Sequence, residues 1–185
     1  MNIIPTEIEG LVIIEPKVFG DNRGYFFESF SERRFKEMVA DVDFVQDNES
    51  KSCRGVVRGL HFQKPPYAQA KLVRVVKGKV LDVAVDLRKG SPTYGKYVAV
   101  ELSEDNHRQV YIPKGFAHGF AVLEDETIFQ YKCDEYYEPK SEGAIAWDDP
   151  DIGIDWELPL VDVVLSEKDK NHPRLKDFDS PFELK

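Results

Sequence analysis

Leu81, Val83, Val85 and Leu87 alternate with Asp82, Ala84 and Asp86. A period of two sends successive side chains to opposite faces, which suits a β-strand and not a helix. The run reads as a half-buried strand with the four aliphatic residues facing the core. Just before it, Leu72, Val73, Val75 and Val76 lead into Lys77-Gly78-Lys79. A glycine between two such runs predicts a hairpin turn. Further strands are predicted over Leu11–Phe19, Tyr25–Phe30, Val45–Lys51, Val56–Phe62, Tyr97–Leu102 and Gln109–Ile112. The series continues over Gly119–Leu123, Thr127–Cys133 and Ala144–Trp147. Gly, Pro, Asn and Asp lie between many of them, as turns require. Many short strands at this spacing predict a sandwich or barrel.

Helical spacing is confined to two short places. Ser31 can cap a helix carrying Phe35, Met38 and Val39, with Glu32 in its first turn. Ser166 can cap a turn through Glu167, Lys168 and Asp169. From Asp148 onward the periodicity weakens, and this part is expected to wrap the β core. A length of 185 residues fits one domain. No internal repeat or long linker divides it. A β core over about 51–147 and a C-terminal wrap over 148–185 are the expected parts.

The charge narrows the choice of partners. With 25 Lys+Arg against 34 Asp+Glu, the net charge is -9, so nucleic acid is an unfavourable ligand. A small anion can still bind where arginines gather locally. No long apolar run and no basic-apolar-small leader pattern occurs, so neither a membrane span nor a secretory signal is expected. Cys53 and Cys133 lack a paired CxxC spacing, which argues against zinc and for two reduced, structural cysteines in a cytoplasmic protein.

Chemistry points first to His61, in Arg58-Gly59-Leu60-His61-Phe62-Gln63. Imidazole titrates near neutral pH and is a natural general base. The segment Pro113-Lys114-Gly115-Phe116-Ala117-His118-Gly119-Phe120 resembles the second motif of cupins, where a histidine follows a PxG turn. The first cupin motif has an HxH pair. Here Phe62 and Gln63 follow His61, so the second imidazole is absent. Fewer than three ligands remain, and no metal is expected. His118 alone reads equally as a packed, hydrogen-bonded histidine.

The resemblance then becomes specific. Pro16–Gly24, Phe44–Asn48, Arg58–Gln63, Ile112–Phe120, Ser141–Gly143 and Leu165–Asp169 together resemble the dTDP-4-dehydrorhamnose 3,5-epimerase family. The match spans nearly the whole chain in order. It implies an all-β, cupin-like double-stranded β-helix, or jelly roll, with a few short helices. It implies a homodimer built partly by the N-terminal strands to about residue 50. The implied reaction turns dTDP-4-dehydro-6-deoxy-D-glucose into dTDP-4-dehydro-L-rhamnose, without a cofactor, in dTDP-L-rhamnose biosynthesis.

The resemblance also implies the roles. His61 is the base, oriented by Asp169, and Tyr131 is the proton donor. Lys71 stabilises the enolate oxygen, where a cation in a water-poor site counts for more than in water. Outside this resemblance, Lys71 reads as an edge-strand lysine and Tyr131 as a wall tyrosine. Substrate contacts are implied for Arg23, Glu28, Gln46, Asn48, Arg58, His118, Glu142 and Lys168. Arginine suits a diphosphate because its planar fork donates paired hydrogen bonds. Three other readings stand beside this one. They are an epimerase acting at carbon 3 or carbon 5 alone, a non-catalytic cupin sugar-binding module, and a metal-dependent cupin oxygenase.

Overall fold

The computed structural model describes residues 1–184. In chain order β1 is Asn2–Pro5, β2 Val12–Glu15, β3 Phe19–Asp21 and β4 Gly24–Phe26, before the helix α1 at Glu32–Met38. Then come β5 (Gln46–Ser52), β6 (Val57–Gln63), β7 (Lys71–Lys77), β8 (Lys79–Asp86) and β9 (Arg88–Lys89). The last strands are β10 (Tyr97–Ser103), β11 (Gln109–Ile112), β12 (Phe116–Val122), β13 (Thr127–Cys133), β14 (Glu142–Ala144) and β15 (Phe182–Glu183). Short 3-10 turns punctuate the C-terminal part, among them Asp169–Asn171.

Two large sheets carry the fold. One has the order β1-β2-β11-β7-β13-β5 and the other β10-β8-β12-β6-β14. Their inner faces meet in a shared cluster. Val73, Val75 and Phe129 come from the first sheet, and Val80, Ala84, Phe120 and Val122 from the second. This is the jelly-roll arrangement that the resemblance implies. The sheets stay separate and do not close into one barrel. Burying each Val, Leu or Phe contributes roughly 1.5–3 kcal/mol relative to exposure, so this cluster is a large source of cohesion.

The expectation of a half-buried strand at β8 is corrected. Leu81, Val83, Val85 and Leu87 do face an apolar layer, but that layer includes Ile152, Trp156 and Phe182 from the C-terminal segment. The other face of β8 lies on the opposite sheet through Val80 and Ala84. Both faces are therefore covered, and Asp82 and Asp86 are 1% and 0% exposed. A buried carboxylate needs partners. Asp86 finds them in Arg88, Ser91 and Thr93.

The hairpin expected at Lys77-Gly78-Lys79 is a corner instead. β7 lies between β11 and β13, while β8 lies between β10 and β12. The turn passes the chain from one sheet to the other. Gly78 has φ +78°, and a Cβ there would meet Thr127 Oγ1 at 2.3 Å. Only glycine fits such a backbone at such proximity.

The predicted helix at Ser31 is α1, with Ser31 at the N-cap position in extended conformation and no side-chain capping bond. Phe35 buries its ring against Phe30, Phe44 and Tyr111. The predicted strands Leu11–Phe19 and Tyr25–Phe30 are shorter than expected. Their tips form the ribbon β3–β4, where Phe19, Tyr25 and Phe26 are exposed. The strand expected at Ala144–Trp147 is shifted to β14, although Ile145 still exchanges hydrogen bonds with Leu60. Cys53 is exposed, Cys133 is buried, and both are free thiols. Among the described residues no helix is long and apolar enough to cross a membrane.

Candidate active site

β6 and β12 pair with His61 directly opposite His118. The register shifts just beyond, between His118 and Phe120. There Gly59 and Gly119 back onto each other: a Cβ on Gly59 would lie 2.5 Å from the Gly119 Cα. Two bare backbones make this approach feasible beside the histidines. From the other sheet, β7 brings Lys71 opposite Cys133, and β13 brings Tyr131 opposite Asn48 of β5. His61, Lys71, His118 and Tyr131 thus line one cavity of about 550 Å³. Asn48, Arg58, Lys168 and Asp169 complete its wall.

Asp169 arrives from the C-terminal segment. Its backbone N–H donates to Ser166 Oγ at 3.1 Å, so Ser166 does shape this turn. Asp169 Oδ1 lies 2.6 Å from His61 Nε2. Burial pushes the Asp169 carboxyl up, but hydrogen bonding and charge from His61, with bonds from Ser166 and His172, outweigh it. The carboxyl lies below its ordinary value. An ionised Asp169 therefore occupies Nε2 of His61 and leaves Nδ1 for a substrate.

His118 has a matching partner. Its Nε2 is 2.7 Å from Asp82 Oδ2, and both side chains are buried. Burial pushes this imidazole down; Asp82 opposes the shift, while Lys71 and His61 add to it. His118 is thus held neutral. Burial likewise lowers the Lys71 ammonium, with Cys133, Asp82 and Glu142 opposing. The Lys71 Nζ stands 5.7 Å from the centre of the Tyr131 ring. Burial raises the Tyr131 phenol, Cys133 and Tyr137 add to the rise, and Arg58 opposes it. A phenol so raised keeps its proton until a stronger base, such as a carbanion, appears.

The remaining predicted residues are more dispersed. Gln46 lies behind the cavity wall, donating to Asn48 Oδ1 at 3.1 Å and accepting from the Tyr137 backbone at 3.0 Å. Glu142 is paired with Lys168 and lines a neighbouring cavity. Arg23 and Glu28 do not reach the main cavity within one chain. Arg23 is held by Asp21 at 2.6 Å on the exposed ribbon, and Glu28 by Arg34 at 3.3 Å. Three neighbours of the predicted set escaped the sequence reading: Asp82, Ser166 as a direct partner of Asp169, and His172, whose Nε2 lies 3.2 Å from Asp169 Oδ1. An acid inside an aliphatic strand was the available signal for Asp82.

A jelly roll with an imidazole–carboxylate pair on one sheet's side and a phenol and an ammonium on the other's defines a cupin-like epimerase, an isomerase. Comparison with known proteins narrows the class. Residues 5–177 match the family model described as dTDP-4-dehydrorhamnose 3,5-epimerase. A dTDP-4-dehydrorhamnose 3,5-epimerase of Methanothermobacter thermautotrophicus is 56% identical over 94% of each chain. One from Escherichia coli is 52% identical over 100% of this chain and 98% of its own. The crystal structure of a dTDP-6-deoxy-D-glucose-3,5-epimerase from Legionella pneumophila, in complex with dTDP-4-keto-L-rhamnose, superposes with a TM-score of 0.92. It is 52% identical, over 96% of this chain and 94% of that one. The chain belongs to the dTDP-4-dehydrorhamnose 3,5-epimerase family.

Proposed function

We propose that this cavity inverts carbons 3 and 5 of dTDP-4-dehydro-6-deoxy-D-glucose, giving dTDP-4-dehydro-L-rhamnose for dTDP-L-rhamnose synthesis. The observation that carries the assignment of roles is the placement of His61 and Tyr131. They project from opposite sheets into one cavity, with Lys71 beside the phenol. Inversion next to a ketone needs that arrangement, with a base on one face and an acid on the other.

His61 Nδ1 takes the proton from carbon 3, and the electron pair of the broken C–H bond moves onto the carbon-4 oxygen. Lys71 stabilises the resulting enolate. Tyr131 then donates its hydroxyl proton to carbon 3 from the other face, and the ketone re-forms. His61 returns its proton to solvent and Tyr131 regains one. Carbon 5 flanks the same ketone, so the same groups repeat the sequence there. Asp169 stays ionised and stabilises the imidazolium. His118 and Arg58 line the substrate's space, and Lys168 and Glu142 close one side of it. No step calls on a metal or cofactor, and turnover is expected to survive exhaustive chelation.

Arg23, Glu28 and the exposed ribbon rings fit a homodimer, in which this segment serves the neighbouring subunit's nucleotide pocket. Gln46 and Asn48 shape the wall it would meet. The enzyme acts in the cytoplasm, where nucleotide sugars are made.

Turnover in deuterated water tests the reading. Solvent deuterium is expected at both carbon 3 and carbon 5 of the product. Exchange at one carbon alone after long incubation would identify a single-site epimerase. No exchange with tight sugar binding would identify a binding module.

A further inference from the structure

His61 stands between two cavities. Beyond the one described above, it also lines a smaller one of about 280 Å³, together with Glu142, His172 and Phe178. At the shared wall three ligand atoms converge. Nε2 of His61 lies 2.6 Å, and Nε2 of His172 3.2 Å, from Asp169 Oδ1. All three lie within 4.8 Å of one another, and the two rings stand at 87°. Among the described residues this is the one such group of ligand-bearing side chains.

Two imidazoles and one carboxylate suit a first-row divalent ion, zinc above all. Ligand atoms around tetrahedral zinc lie about 3.3 Å apart, given bonds of roughly 2.0–2.1 Å. The His172–Asp169 spacing already fits. The His61–Asp169 bond must open by less than about 1 Å, and the two imidazoles must draw together. His172 lies on the C-terminal segment just after a 3-10 turn, outside both sheets, so no ladder hydrogen bonds fix its position. The smaller cavity leaves room for water at the remaining coordination positions.

We propose that His61, Asp169 and His172 form an inhibitory binding site for zinc or a similar divalent ion. Zinc takes the Nε2 lone pair of His61 in place of the proton shared with Asp169. A neutral imidazole then carries its one proton on Nδ1, the nitrogen that takes the substrate's proton in the function proposed above, on which the inhibitory role rests. The Nε2 proton is lost, the Nδ1 proton is gained, and no electron changes hands. The base is capped while the fold is untouched. The cupin metal site would use ligands on the strands alone; this one depends on a residue of the C-terminal segment.

The test uses untagged, full-length protein stripped with EDTA. Cobalt(II) reports binding by its visible d–d bands without any substrate, so this readout does not rest on the proposed reaction. Bands are expected on titration of wild type and are expected to be lost in His172→Gln, which keeps a donor for Asp169. Zinc is expected to inhibit epimerisation reversibly. His172→Gln should need at least about tenfold more zinc for the same fractional inhibition, as losing a ligand weakens binding by that order or more. Absent bands, or bands unchanged in His172→Gln, would overturn the site. Equal zinc sensitivity of both proteins would trace inhibition to Cys53 or Cys133 instead. Cobalt bands with no zinc inhibition would overturn the inhibitory role.

Discussion

His61 and His118 are cross-strand neighbours, and each is tied through Nε2 to a carboxylate, at 2.6 Å and 2.7 Å. Their surroundings differ. His118 and Asp82 sit on adjacent strands, with side chains 7% and 1% exposed. The His61 side chain is 33% exposed, and its Asp169 comes from a 3-10 turn outside both sheets. The same two functional groups therefore produce two devices. A pair clamped by the ladder and stripped of water holds one protonation state. A pair opening on a cavity is within reach of a bound ligand. Access, not partner chemistry, separates the proposed base from the buried pair.

The comparison breaks most visibly in rate. His61→Ala is expected to lower kcat/KM by about 100- to 10,000-fold, the usual contribution of a positioned general base. Initial rates at low substrate measure it, and a loss below tenfold would remove His61 from its role. Tyr131→Phe sharpens the same point. It should abolish inverted product, yet still wash deuterium into recovered substrate from the His61 face. Complete loss of that exchange would contradict the division of labour.

The order reverses for stability. His118→Ala leaves the buried Asp82 carboxyl without its hydrogen-bond partner, so unfolding in urea should show a loss of roughly 1–3 kcal/mol. His61→Ala should lose only about 1 kcal/mol, because its ring is partly solvated and the Asp169 carboxylate keeps its bond with His172. Equal losses would mean that the two pairs are energetically alike.

The smallest effect concerns pH, four residues further along the strand that carries Asp82. Burial pushes the Asp86 carboxyl up, but bonds from Arg88, Ser91 and Thr93 outweigh it, and it lies below its ordinary value. A depressed carboxyl stabilises the fold fully above its unfolded value of about 3.9. That contribution is lost as pH falls through the lower, folded value. The urea midpoints of wild type and Asp86→Asn should therefore differ most near neutrality and draw together below about pH 4. A gap that widens on acidification would invert the assigned sign.

The alternation from Leu81 to Leu87 made the strand legible, because period-two patterning is local. Which sheet receives a strand is not local. Lys77-Gly78-Lys79 has the residues of a hairpin and serves as a corner, since the same pattern satisfies either geometry. Asp82 looked solvated for a related reason: the sequence of β8 does not reveal that the opposite sheet covers its polar side. Asp169 lies 108 positions from His61, and no periodicity joins them; family resemblance alone connected the two. Arg23 and Glu28 carry the right chemistry, but a single chain holds Arg23 on the ribbon and Glu28 just after it, both away from the cavity. The homodimer proposed above is what would give them a site to serve.

The turn holding Asp169 also sets a timetable. His61, Lys71, His118 and Tyr131 all leave the ribosome before residue 169 does. All the strands of both large sheets are synthesised before His61 can meet its carboxylate partner. On the proposed mechanism, the carboxylate that orients the base arrives only with the C-terminal segment.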